Sequence, residues 1–239
     1  MNIRQAKLLA AIIDQFIDTA IPVGSKKLLA SADFPVSSAT IRSEMALLED
    51  EGFLGQPHTS AGRIPTVKGY RVYVREFMKP TRHEDQVRTR FNELKEQYLA
   101  HKDRERVYEA VGLLAGMTPN VAFATVPHRD RLYYLGLSNV LRQPEFQDDA
   151  RLLSGVVEVL EHRLSELLDD IQLTDEVQYF IGESNLCPQF ESCSMMITSY
   201  KIRDGRGAVG ILGPTRMDYG YNTVALDMVA ALLRDAYTS

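Results

Sequence analysis

The apolar spacing between Ser37 and Gly52 admits one regular structure, and the N-terminal part of the chain is arranged around it. Ile41, Met45 and Leu48 fall at i, i+4 and i+7, the period of one helical face. Ser37 or Ser38 offers a hydroxyl to cap the start, and Gly52 can end it. At about 100° per residue, Ala39, Ser43 and Ala46 point away from that seam, with Thr40 and Arg42 on its flanks. A helix backed by apolar residues and fronted by small, polar and cationic ones suits a major groove. A shorter helix from about Ser25 to Ser31 precedes it across a turn containing Asp33 and Pro35. The pair reads as a helix-turn-helix.

The residues that follow sharpen this expectation. Phe53 and Leu54 read as a strand, Gln56 to Arg63 as a polar loop, and Ile64 and Pro65 as its return, which makes a β-wing. Its expected tip carries His58, Thr59, Ser60 and Arg63, with Gly62 letting the backbone approach a phosphate or a minor groove. Such a module reads duplex DNA, while the same fold used only for protein contacts stays open. The net charge of −5 argues against nucleic acid on its own, but residues 53–82 hold six cations against the single anion Glu76. Distribution outweighs the total here, because a basic stretch beside an acidic body orients a protein on DNA.

Thr66 can cap a further helix running to about Lys79, with Val67, Tyr70, Val74, Phe77 and Met78 as its apolar face and Lys68, Arg71, Arg75 and Lys79 as an adjacent stripe. Pro80 ends it, and the polar run from Thr81 to Gln86 reads as a boundary between a winged-helix domain, 1–80, and a second domain, 81–239. Before them, Leu8, Leu9, Ile12, Ile13, Phe16 and Ile17 form the buried face of a first helix.

The strings PVGSKKL, SSATIRSEMALLEDEGFL, QPHTSAGRIPT and GYRVYV resemble the DNA-binding domain of the heat-inducible transcription repressor family HrcA. Downstream, GLSNVLRQPEF and GILGPTRMDY resemble that family's sensor-like domain. The resemblance implies a repressor of chaperone genes that binds an inverted-repeat operator as a homodimer and depends on the GroE chaperonin. It also implies a GAF-like second domain. Family members carry further strands and an inserted helical dimerisation domain between the counterparts of Val121–Val126 and Leu132–Leu135, where this chain has only Pro127-His128-Arg129-Asp130. The family's dimerisation device is therefore expected to be absent.

The second half reads as helices, set by Val87, Phe91, Leu94 and Tyr98 and then from Arg104 to Ala115, followed by strands at 121–126, 132–135, 177–181, 194–202 and 208–212. Asp204 to Gly207 is expected to turn the last pair, and a helix from about Met217 to Leu233 closes the chain. From Asp148 to Ile171, Leu153, Val157, Leu160, Leu164, Leu167 and Ile171 alternate spacings of four and three. That seam suits either packing on a sheet, which its extra width favours, or a dimer. The fold class is α+β: a winged helix-turn-helix, then a GAF-like domain with a mainly antiparallel sheet.

Cys187 and Cys193 are too few to frame a fold, no Cys/His set has zinc-ligand spacing, and no cofactor pattern is present. The N-terminus has no signal pattern and no apolar run reaches membrane-spanning length, so a cytoplasmic protein without a membrane partner is expected. GPTRMDY lacks a nucleophile and base at workable spacing, Arg216 and Asp218 reading as partners in a turn, so no enzyme is expected. Ala39, Thr40, Arg42 and Ser43 are the candidate base readers, and Ser37, Ser38, Lys26 and Lys27 the phosphate contacts. His58, Thr59, Ser60 and Arg63 would place the wing. A regulator whose second domain senses a metabolite and a protein-binding adaptor are the two alternative functions.

Overall fold

The computed structural model describes residues 1–31, 34–99, 105–127, 131–147, 150–183, 188–202 and 205–236. They form two compact units, Met1–Lys79 and Pro80–Ser239. Asp33, His128 to Asp130, Asp148, Cys187 and Asp204, on which several expectations rested, lie outside the described residues.

The first unit opens with α1 (Ile3–Thr19), whose start is closed by a reciprocal cap: Asn2 accepts from the Gln5 amide, and Gln5 accepts from the Asn2 amide. Leu8, Leu9, Ile12 and Ile13 are buried as their spacing requires, whereas Phe16 and Ile17 are only half-buried. Next come α2 (Ser25–Ser31) and α3 (Ser38–Asp50). Ser37 is the cap of α3, its hydroxyl accepting from the Thr40 amide at 3.1 Å, and Ile41, Met45 and Leu48 form the buried face. Gly52 follows with φ of +76°, a value that favours glycine where a helix must turn out.

Strands β1 (Leu54–Gly55) and β2 (Ile64–Pro65) pair antiparallel, with Leu54 opposite Pro65. Phe53 lies just before the strand and not within it; its carbonyl accepts from the Thr66 amide at 3.1 Å. Thr66 then caps α4 (Val67–Val72), which runs on as a π-turn over Tyr73–Phe77. The wider turn rotates the buried face. Tyr70 is buried as expected, but beyond it Tyr73 is buried while the expected Val74 and Phe77 are only half-buried, and the Tyr73 hydroxyl donates to Asp14 at 2.8 Å.

In the second unit the polar run expected at the domain boundary forms part of a 3-10 turn, Pro80–His83, and the start of α5 (Glu84–Leu99). Helix α6 (Arg106–Met117) leads to a five-stranded antiparallel sheet made of β3 (Val121–Thr125), β4 (Leu132–Leu135), β5 (Gln178–Ile181), β6 (Cys193–Ile202) and β7 (Gly205–Pro214). The strand order is β4-β3-β7-β6-β5. Ile202 pairs with Gly205 and Tyr200 with Gly207. Gly205 to Gly207 therefore belong to the strand and not to the expected turn.

Alternation along the strands sends residues to two covered faces. On one, α6 and α11 (Tyr219–Ala236) pack against the sheet, and Ser194 meets the Tyr219 hydroxyl at 2.8 Å. On the other, Val121, Phe123, Met195, Ile197 and Leu212 share a core with α7 (Leu137–Leu141), α8 (Pro144–Gln147), α9 (Ala150–Glu158) and α10 (Leu164–Asp170). A π-turn, Val159–Arg163, joins the last two. Val156, Val159, Leu160, Leu164, Leu167 and Leu168 are all buried in that core. At about 2 kcal/mol for each buried aliphatic side chain, Leu160, Leu164 and Leu167 of the expected seam are committed to the sheet, whereas Leu153 and Val157, in its first turns, are only half-buried and lie outside that core. Mixed helix and antiparallel sheet make the fold α+β.

Candidate nucleic-acid interface

Because α3 buries Ile41, Glu44, Met45 and Leu48, it turns Ala39, Arg42 and Ser43 to solvent, with Ser37 exposed at the cap and Ser38 and Thr40 half-exposed. Small side chains keep this face low. Ser43 donates to the Ala39 carbonyl at 3.2 Å and the Ser37 and Thr40 hydroxyls lie 3.0 Å apart, so the hydroxyls are held in defined positions. Arg42 makes no hydrogen bond or ion pair with any described residue. Lys26 and Lys27 are exposed at the start of α2.

The loop between β1 and β2 is held by a backbone turn, the Ala61 amide donating to the His58 carbonyl at 2.8 Å, and by one side chain. The Gln56 amide donates to the Thr59 carbonyl at 2.9 Å and to the Ala61 carbonyl at 2.8 Å, holding the loop from inside. The exposed tip is His58, Thr59 and Ser60, with Ser60 Oγ 3.2 Å from His58 Nδ1. At the base, a Cβ on Gly62 would stand 2.5 Å from the Val23 backbone, so the chain passes there only as glycine. Between this loop, the start of α2 and α3 runs a groove of about 410 Å³, lined by Gly24, Ser25, Arg42, Met45 and Ser60 among others.

Arg63 is not at the tip, contrary to the sequence expectation. Its backbone exchanges two 2.9 Å hydrogen bonds with Val23, and its guanidinium pairs with Glu49 of α3 at 2.7 Å with the side chain only 17% exposed. Other members of the basic stretch also have partners within the unit. Lys68 donates to the Glu51 carbonyl at 2.7 Å and stands over the Phe53 ring, closing the end of α3 with a cation. Arg75 pairs with Glu76 at 2.6 Å. Sequence reasoning missed Glu44, a buried carboxylate on α3 held by Arg4 from α1. Its position in the apolar seam of α3 was the available signal.

The two downstream strings come together in the second unit. Arg216 donates through Nε to Glu145 at 2.5 Å, through Nη2 to the other Glu145 oxygen at 3.1 Å, and to Gln143 at 2.9 Å. Arg216 does not pair with Asp218, as its position in a turn had predicted. Asp218 caps α11, accepting from the Tyr221 amide at 2.9 Å. Asn139 donates to the Ala115 carbonyl at 2.8 Å, closing the end of α6. These polar groups hold helices in place. Among the described residues no three His, Cys, Asp or Glu side chains are grouped to hold a metal, and the Cys193 side chain is buried. No helix among them is long and apolar enough to cross a membrane.

A family model described as the HrcA protein C-terminal domain matches residues 79–221. A heat-inducible transcription repressor HrcA from Shouchella clausii is 28% identical over 319 aligned positions, covering 90% of this chain and 92% of the relative. Its namesake from Brevibacillus brevis is 27% identical over 337 positions, covering 99% and 98%. A chain of 239 residues cannot fill 337 positions, so at least 98 (337 less 239) lack a residue here. Among solved structures, a crystal structure of a hypothetical protein superposes with a TM-score of 0.79 at 18% identity, covering 100% of this chain and 98% of that one. The last match speaks to the fold alone.

Proposed function

The chain belongs to the HrcA family, whose members are heat-inducible transcription repressors and not enzymes, and from that premise we propose that its first unit is a winged helix-turn-helix that binds an inverted-repeat operator. In this reading α3 enters the major groove, Ala39, Thr40, Arg42 and Ser43 meet base edges, and Arg42 suits guanine while the Ala39 methyl suits a thymine methyl. Ser37, Ser38, Lys26 and Lys27 hold phosphates, and the loop tip of His58, Thr59 and Ser60 reaches a minor groove or the backbone. The observation that carries the reading is Arg42, an exposed guanidinium without a partner among the described residues, on a face of small side chains beside the loop groove.

An inverted repeat is matched by a two-fold dimer, here assembled without the 98 or more positions present in the Brevibacillus relative. The second unit serves as the GAF-like regulatory domain, and the protein works in the cytoplasm with the GroE chaperonin as its partner in heat sensing. Titrating the full chain against an inverted-repeat chaperone operator and a scrambled duplex, at two salt concentrations, tests the proposal. Preference for the repeat is the expected result. Binding to neither duplex at low salt, where backbone contacts are strongest, would overturn it.

A further inference from the structure

Arg42 and Glu49 are seven residues apart on α3, two turns and so the same side of the helix. Arg42 lines the groove beside the loop. Glu49, about 10 Å further along the axis, receives the guanidinium of Arg63 from the base of that loop at 2.7 Å. The same residue is fixed through its main chain, its amide and carbonyl both bonded to Val23 at the entry to α2. Gly62 beside it seats directly on the Val23 backbone, and Gln56 holds the loop interior. On its return side the loop is thus tied to Val23 and to α3 through Arg63 itself, by main chain and side chain, while its outgoing side is anchored separately, the Phe53 amide donating to the Leu48 carbonyl at 2.9 Å. The Arg63 side chain is largely buried, its Nε without a hydrogen-bond partner among the described residues, and Glu49 is 31% exposed.

We propose that the Arg63–Glu49 pair is a brace that fixes the offset between α3 and the wing, so that Arg63 is a positioning residue for operator recognition and not a DNA contact. This rests on the DNA-binding reading above. A guanidinium that met DNA directly would be expected exposed and unpaired among the described residues, as Arg42 is. The position of Arg63 is the opposite: paired, mostly buried and at the stem. With the offset fixed, base edges met by α3 and backbone met by the loop tip are read in one register, and loss of the brace lets the two slide independently. Operator preference then falls while general attraction to DNA remains.

The test is a set of four full-length chains, wild type, Arg63→Gln, Glu49→Gln and the exchange Arg63→Glu with Glu49→Arg, titrated on operator and scrambled duplex across a salt series, with thermal unfolding followed alongside. For both single variants the brace predicts a loss of operator preference of about tenfold, equivalent to a coupling of ordinary size between contacting residues. It also predicts an unchanged salt slope and recovery of preference in the exchange. A slope lowered by about one phosphate in Arg63→Gln, tighter binding in Glu49→Gln and no recovery in the exchange would make Arg63 a phosphate contact and overturn the brace. Preference unchanged in folded single variants, or single variants that do not fold while the exchange fails to recover, would reduce the pair to fold stability alone and equally overturn it. Wild-type protein that binds neither duplex would remove the DNA-binding reading itself, an outcome visible before any variant is compared.

Discussion

The face of α3 and the clamp around Arg216 are each built on strings unusual enough to carry a family likeness, yet they use their polar groups in opposite ways. On α3 the guanidinium of Arg42 has no partner among the described residues and faces solvent. In the second unit Arg216 is 11% exposed and bound at three points by Glu145 and Gln143, which come from the other string. Two motifs of equal distinctiveness therefore mean different things. What separates them is whether the fold satisfies the cation or leaves it for another molecule.

The sharpest way to break that contrast is to remove Arg216. Arg216→Ala leaves Glu145 without its fork and should lower stability by about 2–3 kcal/mol, less than for a fully buried pair because Glu145 keeps some contact with water. Denaturant unfolding measures this, and an unchanged midpoint would show that the clamp is not what holds α8 in place. Arg42→Ala should do the reverse: about 2 kcal/mol lost in operator affinity by titration, with stability within about 0.5 kcal/mol of wild type. Next, Lys26→Ala should weaken binding to all duplexes alike and reduce the salt slope by about one.

The smallest effect concerns an exposed cluster in the second unit. Hydrogen bonds first from the Ser199 hydroxyl and then from the Lys201 ammonium hold the Asp175 carboxyl down at about 2, against an ordinary 3.8. A carboxylate with a lowered folded-state pKa stabilises above its unfolded value and loses that contribution as pH falls through the folded one. Asp175→Asn should thus flatten the acid limb of the stability profile between about pH 4 and about pH 2, read by thermal unfolding across pH.

Periodicity gave the apolar members of the buried face of α3, though not Glu44 among them, and narrowed its cap to Ser37 or Ser38, because these are local properties of a helix. The packing of the Leu160–Leu167 stretch was likewise favoured correctly from the width of its apolar surface. Arg63 was misplaced at the loop tip because its partner, Glu49, belongs to another element, and a charge in a polar loop looks the same in sequence whether paired or free. The pairing of Arg216 with Glu145, 71 residues away, escaped for the same reason. The π-turns at Tyr73–Phe77 and Val159–Arg163 shift a helical face without leaving a mark in composition. That is why Tyr73 and Val159 were not foreseen as core.

The strand order of the sheet also prescribes a sequence of events in time. Strands β6 and β7 are neighbours in the chain, so their ten-residue ladder starts from a pair, Ile202 and Gly205, only three positions apart in sequence. β3 must wait for a partner about ninety residues downstream, since Val121 pairs with Leu212. Closing the short loop costs far less chain entropy. The hairpin is therefore the expected nucleus onto which β3, and β4 with it, dock late. Substitutions that weaken the Met196–Ile211 pair should slow refolding, while those that weaken Phe123 against Gly210 should mainly hasten unfolding.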